Sequence, residues 1–234
     1  MKSTVEQIRT RFDNDVERFS NLETGQSATI DAPLVLDLVT QAAAVATPFA
    51  THLLDIGCGA GNYSLKMIQK IPNLNITLLD LSAPMLVRAV ERISPTTLGI
   101  LSPTRLDIRE FEAGESQFDI ILAAAVFHHL RGEDEWRAVF SKCYAALRPG
   151  GSLWISDLIE HSTTSIQTLM WSRYGEYLAA LKGDSYREQV FGYIEQEDTP
   201  RSLMFQLDML RAVGFGVVDV LHKNSVFAAF GAIK

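Results

Sequence analysis

The stretch Leu53-Leu54-Asp55-Ile56-Gly57-Cys58-Gly59-Ala60-Gly61-Asn62 carries the strongest chemical signal in the chain. Three glycines alternate at 57, 59 and 61, and the carboxylate of Asp55 stands two places before the first. Glycine reaches φ > 0 without steric cost and has no Cβ, so a ligand can lie directly on such a backbone. A helix opening at Asn62 would turn its free N–H groups toward that ligand. A nucleotide-type ligand fits, but the spacing is G-x-G-x-G, not the dinucleotide G-x-G-x-x-G. The plain alternative is a turn that only joins strand to helix. A second acid, Asp80, follows Gly61 by nineteen places, at the end of the next apolar run. A carboxylate there can accept both hydroxyls of a ribose; otherwise it is a helix N-cap or a surface acid. Farther on, His128 and His129 close the apolar run 120–127. An imidazole can take a proton from an attacking hydroxyl or amine. It can equally cap a helix or bind backbone, the reading preferred for His129.

These side chains need a scaffold that gathers strand ends. Residues 3–20 place Val5, Ile8, Phe12, Val16 and Phe19 at helical spacing, and 20–30 is a polar loop. Asp31 is positioned to cap a helix that holds Pro33 just inside and runs to about Ala46. Strands and helices then alternate. Strands are expected at 52–56, 75–80, near 100–106, 118–125 and 152–157, with helices at 62–71, 83–93 and 133–147. That order implies a parallel sheet with right-handed crossovers. The pattern changes at 162–198, where two or three helical pieces carry Trp171, Tyr174, Tyr177, Tyr186, Phe191 and Tyr193. Thr199-Pro200 opens a last helix to Val213, and runs 216–221 and 225–231 read as a hairpin turning at Lys223-Asn224. Ligands of open α/β sheets bind beyond the carboxyl ends of the strands, where Asp55, Asp80, Asp107 and Asp157 all fall.

Asp55, Gly57, Gly59 and Gly61 match all four positions of D-x-G-x-G-x-G, which resembles motif I of the class I S-adenosylmethionine (SAM) methyltransferases. The run 118–130, opening Phe118-Asp119-Ile120 and ending Phe127-His128-His129-Leu130, is similar to motif IV and its sequel. Leu147-Arg148-Pro149-Gly150-Gly151 resembles the family's L-x-P-G-G turn. The resemblance is specific over about 50–160 and follows element order elsewhere.

It implies an α/β, Rossmann-like fold: a mostly parallel seven-stranded sheet with an antiparallel C-terminal hairpin, helices on both faces and a helical lid. One domain would span 1–234, with a lid helix and loop at 1–30 and a substrate lid at 162–198. SAM, leaving as S-adenosylhomocysteine, would lie on Asp55, Gly57, Cys58, Gly59 and Gly61. Asp80 would hold the ribose, Leu81 and Ile108 would flank adenine, and Asp107 would accept its amino group. Ala124 would let the backbone approach the methionine part. His128 would stand at the methyl-transfer pocket as catalytic base or substrate contact. Asp157, by its place at the end of the fifth strand, would face the substrate, with a cap or hydrogen-bonded loop acid as the alternative; Trp171 and Tyr174 would line the substrate lid, with ordinary packing as theirs. The tail from Trp171 and the opening Phe12-Asp13 are also similar to enzymes that use carboxy-SAM to modify tRNA wobble uridine. That subgroup needs a lid cation; Arg187 and Arg201 are near but off its position, and Ala124 replaces its polar residue. Methyl transfer from SAM to a small molecule is therefore the expected activity, with a carboxy-SAM enzyme as the alternative. A nicotinamide oxidoreductase or a non-catalytic SAM-binding protein would be further readings.

Composition narrows the partners. The chain of 234 residues is 47% hydrophobic and 21% charged, enough for a full core. Its net charge of −7 forgoes the phosphate attraction of nucleic-acid binders, so nucleic acid is not an expected partner. The longest apolar run is too short to span a bilayer, and the opening residues lack a signal-peptide core. The two cysteines, Cys58 and Cys143, make no disulfide framework, and a reducing cytoplasm is the expected compartment. No His/Cys/Asp/Glu group has metal-ligand spacing, so no metal is expected. The exposed lid aromatics could support a homodimer.

Overall fold

A computed structural model describes residues 2–21 and 26–234. Met1 and residues 22–25, part of the expected 20–30 loop, lie outside the described residues. The chain forms α1 (Val5–Asp13), α2 (Val16–Ser20), α3 (Ala32–Ala46), β1 (His52–Ile56), α4 (Asn62–Lys70), β2 (Asn75–Asp80), α5 (Ala83–Ile93), β3 (Leu101–Arg105) and β4 (Phe118–Ala124). It continues through α6 (Glu133–Ala146), β5 (Leu147–Leu158), α7 (Thr164–Lys182), α8 (Asp184–Glu197), α9 (Leu203–Ala212), β6 (Val217–Asn224) and β7 (Phe227–Ile233).

The strands make one seven-stranded sheet in the order β3-β2-β1-β4-β5-β7-β6. The first five run parallel, and β7 pairs antiparallel with both β5 and β6. This is the Rossmann-like sheet with a terminal hairpin that the sequence implies. Side chains alternate across it, as strand geometry requires. Leu54, Ile56, Ile121 and Ile155 pack with Trp136 and Phe140 of α6 and Leu210 of α9. Leu53, Ile120 and Leu122 face the other way, against Val39 of α3, Met67 of α4 and Ala89 of α5. Both faces of the central strands are thus buried, which is why they read as apolar runs. Pro103 sits in β3, the edge strand, where a missing N–H donor is tolerated.

Helix faces follow from spacing. In α5, Met85, Leu86, Ala89 and Ile93 form one buried stripe, and Ser82 caps the helix by accepting from Met85 N. Helices α7 and α8 cover a third apolar cluster built on Tyr174, Leu178, Val190, Leu158 and Val226. Tyr174 and Tyr177 donate their hydroxyls to the carbonyls of Ala28 and Ser27, tying this layer to the segment before α3.

Some boundaries differ from the sequence reading. The helix expected over 3–20 breaks at Asn14-Asp15. The Asn14 side chain turns back onto the Thr10 carbonyl, a local bond that competes with helix continuation. Strand β5 begins at Leu147, which pairs with Phe118 of β4; Gly150, at φ 77°, and Gly151 then exchange backbone hydrogen bonds with Lys234. Helix α9 starts at Leu203, capped by Ser202, not at Thr199-Pro200. The hairpin turns at Ser225, φ 49°, so Lys223 and Asn224 stay within β6. Asp31 occupies the N-cap position of α3 without capping; its carboxylate instead binds His222 and Asn224. No helix among the described residues is long and apolar enough to cross a membrane.

Candidate active site

The glycine turn follows β1 at the carboxyl edge of the sheet, with Gly57, Gly59 and Gly61 all at positive φ. At two of these a side chain is excluded twice over. A Cβ on Gly57 would collide with Val126, and one on Gly61 would stand 2.7 Å from Ile93 Cδ1. Behind the turn, Asp55 is buried and accepts from Ser64 Oγ at 2.6 Å. Burial pushes its carboxyl up to about 7, against the Ser64 hydrogen bond and helped by the nearby Asp80 charge.

Asp80, at the tip of β2, accepts the Gly59 N–H at 2.8 Å on Oδ2 and the Ser82 N–H at 2.8 Å on Oδ1. Burial raises its pKa, and these backbone donors oppose the shift. Asp107 follows β3 and is gripped by Arg109, whose Nε and terminal nitrogen reach its two oxygens at 2.9 and 2.6 Å. Burial would raise this carboxyl, but the Arg109 guanidinium outweighs it and holds the pKa low.

A cavity of about 270 Å³ lies over these strand tips. Its wall includes Asp55, Gly57, Cys58, Gly59, Asp80 and Leu81. Asp107, Ile108, Ala124 and His128 complete the sequence-derived residues that reach it. Gly61 is absent from its wall, to which its neighbours Ala60 and Asn62 contribute. A smaller chamber of about 160 Å³ shares the wall at Ala124 and His128 and adds Asp157 and Tyr174. Trp171 lines neither; it packs edge-on against Phe191, 5.2 Å between centroids.

The short turn after β4 places the histidines. Ala125 takes φ 55° and donates to Ser156 O, and 127–129 then form one turn of 3₁₀ helix. Asp157, at the end of β5, accepts from the His128 backbone N–H at 3.2 Å and contacts its Nδ1 closely. On the far side, Asp198 Oδ1 lies 3.7 Å from His128 Nε2 and 3.2 Å from His129 Nδ1. Burial alone would lower the His128 pKa, but Asp157 and Asp198 outweigh it and lift it to about 9. His129 shifts the other way, through burial and then the neighbouring His128 charge.

Sequence reasoning missed Asp198, Glu197, Arg11 and Arg18, all in the cavity wall. Arg11 of α1 forks onto Glu197 at the end of α8, its Nε 2.8 Å from Oε1. Nothing local marks these residues; the helix break before Pro200 is the one signal near Asp198. The fold also brings His128, His129 and Asp198 together, one ligand atom from each within 4.8 Å of the others. This corrects the expectation, drawn from local spacing, that no such group exists.

Comparisons with known proteins bear on the family and the fold. A family model described as a methyltransferase domain matches residues 54–153. A carboxy-S-adenosyl-L-methionine synthase of Chromohalobacter salexigens is 31% identical over 194 residues, covering 80% of this chain and 69% of that protein. A malonyl-[acyl-carrier protein] O-methyltransferase of Ilyobacter polytropus is 30% identical over 106 residues, covering 45% of this chain and 38% of that one. In overall shape the chain is similar to a Burkholderia thailandensis 1,6-didemethyltoxoflavin-N1-methyltransferase solved with S-adenosylhomocysteine. The TM-score is 0.66 at 15% identity, covering all of this chain (100%) and 91% of that one.

Proposed function

The chain belongs to the class I SAM-dependent methyltransferase family, and from that premise we propose that it methylates a small-molecule acceptor held between the strand tips and helices α1, α2 and α8. The observation that carries this reading is the pair of adjoining cavities. The larger meets the glycine turn and Asp80, and the smaller opens beside His128. The acidic net charge of −7 favours such an acceptor over nucleic acid, and the two free cysteines, Cys58 and Cys143, favour a reducing cytoplasm as its compartment.

Bound SAM supplies a methyl group already activated on a sulfonium. The chain's own residues then have to bind, align and exclude water. In this proposal the glycine turn meets the donor through backbone. Asp80 keeps lone pairs for the ribose hydroxyls after accepting from Gly59 and Ser82. Leu81 and Ile108 flank the adenine, and Asp107, oriented by Arg109, accepts from its amino group. Ala124 leaves room at the methionine end. Asp157 fixes His128 Nδ1, so Nε2 meets the acceptor. With its pKa near 9, this ring donates at neutral pH and acts as base only once that proton is displaced. Helices α1 and α2 and the α7–α8 layer, with Tyr174 on its inner side, serve as lids.

Calorimetric titration of the full chain with S-adenosylhomocysteine tests the donor, with one site per chain expected. Absence of binding at high protein concentration sinks the reading. A second reading, a carboxy-SAM enzyme, is favoured by the relative named as a carboxy-SAM synthase. Arg187 and Arg201, the cations considered for the extra carboxylate, line neither cavity, whereas Arg11 and Arg18 of α1 and α2 line the larger one. The mass of co-purified ligand separates the two readings, since carboxy-SAM carries one more carboxyl group.

A further inference from the structure

Two imidazoles and a carboxylate converge in the wall of the larger cavity. They arrive from separate parts of the chain: His128 and His129 from the turn after β4, Asp198 from the residue after α8. Asp198 Oδ1 stands 3.2 Å from His129 Nδ1 and 3.7 Å from His128 Nε2. The other ring nitrogen of His129, Nε2, is buried without a hydrogen-bond partner. Nδ1 is the His129 nitrogen turned toward Asp198, so the donor atoms that face one another are His128 Nε2, His129 Nδ1 and Asp198 Oδ1. We propose that His128, His129 and Asp198 bind one divalent transition-metal ion at the edge of the acceptor chamber.

The donor set selects the ion. Imidazole nitrogen suits zinc, cobalt, nickel or ferrous iron, whereas magnesium and calcium prefer all-oxygen shells. Two histidines and one carboxylate leave coordination positions open, and here the open side is the cavity. A ligating histidine usually gives its other ring nitrogen to a carboxylate, which fixes tautomer and ring angle; Asp157 does this at His128 Nδ1. Charge agrees as well. Asp157 and Asp198 bring two buried carboxylates to one ring, and a divalent ion balances both. Of the nearby cations, Arg11 pairs with Glu197, Arg131 reaches the Glu197 carbonyl and Thr199, and Lys2 reaches the backbone carbonyls of Glu195 and Asp198.

The two chain segments that meet here are already tied together. Thr199 N donates to His128 O at 2.6 Å, and Arg131 bridges to the Glu197 carbonyl at 2.6 Å. Metal–ligand distances of about 2.0–2.2 Å require the three donors to close around one point from separations of 3.2 and 3.7 Å.

The catalytic consequence, unlike the ion site itself, rests on the methyl transfer proposed above. An acceptor hydroxyl bound to the ion loses its proton to solvent more readily. The oxygen then forms a bond to the methyl carbon as the carbon–sulfur bond breaks, and sulfur keeps the electron pair as a neutral thioether. His128 Nε2 is then a ligand, and the ion takes over the lowering of the acceptor's proton affinity. The acceptor class is one with an oxygen that can coordinate.

The test uses tag-free full-length protein, stripped with chelator and titrated with Co²⁺ by visible absorption. One ion per chain is expected, with His129→Ala and Asp198→Asn each weakening it by at least about tenfold. Binding without one-to-one stoichiometry, no binding, or equal binding in both variants overturns the proposal. Should either variant fail to fold by thermal melt, Asp157→Asn keeps all three donors and is expected to weaken Co²⁺ by about 10–100-fold; unchanged affinity there overturns the proposal. A parallel S-adenosylhomocysteine titration of the same stripped protein keeps the two readings apart. Donor binding without Co²⁺ binding sinks the metal site alone, and Co²⁺ binding without donor binding sinks the methyltransferase reading alone.

Discussion

The Asp80 carboxylate accepts the Gly59 N–H at 2.8 Å, so the tip of β2 holds the turn that leaves β1. One side chain thereby shapes the glycine loop and faces the cavity. Asp80→Ala removes both the loop anchor and the proposed ribose acceptor. The expected result is a loss of S-adenosylhomocysteine affinity of about 100-fold, two charge-assisted bonds at about 1.5 kcal/mol each. Asp80→Asn can still accept on one oxygen and should lose less. Calorimetry on both variants checks the order.

Gly57→Ala and Gly61→Ala are expected to destabilise the protein even without ligand. Each forces an L side chain to positive φ, and each Cβ meets a packed neighbour, Val126 or Ile93. Overpacking of this kind costs about 1–3 kcal/mol. Gly59→Ala meets nothing within 4 Å, so it should melt closer to wild type and lose mainly ligand affinity. Thermal melts with and without S-adenosylhomocysteine separate the two effects.

Glu197→Ala is expected to loosen α1. The buried Glu197 carboxylate holds Arg11 through a forked ion pair, and Ser3 N adds a bond to Gln196 O. Arg11 keeps 22% side-chain exposure, so its stranded charge is partly hydrated. A loss of about 1–3 kcal/mol is expected. Hydrogen exchange should rise first over 5–13, while the sheet stays protected.

Most of the fold was legible because its cues are local. Apolar runs such as 52–56 and 118–124 mark strands buried on both faces, and Ser82 announces its helix as a cap. The break at Asn14-Asp15 was hidden because Val5 to Phe19 keeps helical spacing across it. The site was legible only where one strand end supplies a residue. Asp55, Asp80 and Asp107 follow from β1, β2 and β3, but Asp198 reaches the histidines only through the packing of α8. Trp171 and Tyr174 lie one helical turn apart, yet only Tyr174 is fully buried and reaches the chamber; Trp171 covers it from outside.

Asp55 predicts how stability and donor affinity follow pH. Burial pushes its carboxyl up to about 7 in the folded chain, with the Ser64 hydroxyl opposing and the Asp80 charge adding. In the unfolded chain it titrates near its ordinary value of about 3.9. Below that value both states are protonated, and the site adds no penalty. Between the two values the folded state keeps a proton that the unfolded chain has released, so stability falls as pH rises. Above about 7 both are ionised, and the penalty is complete. Wild type should therefore lose more melting temperature than Asp55→Asn between about pH 5 and pH 8. A cationic ligand reverses the preference, because a positive charge nearby favours the carboxylate. SAM affinity should accordingly strengthen as pH rises through about 7, and the Asn variant should show a flatter profile. Equal pH slopes for wild type and Asp55→Asn would place the Asp55 proton outside both equilibria.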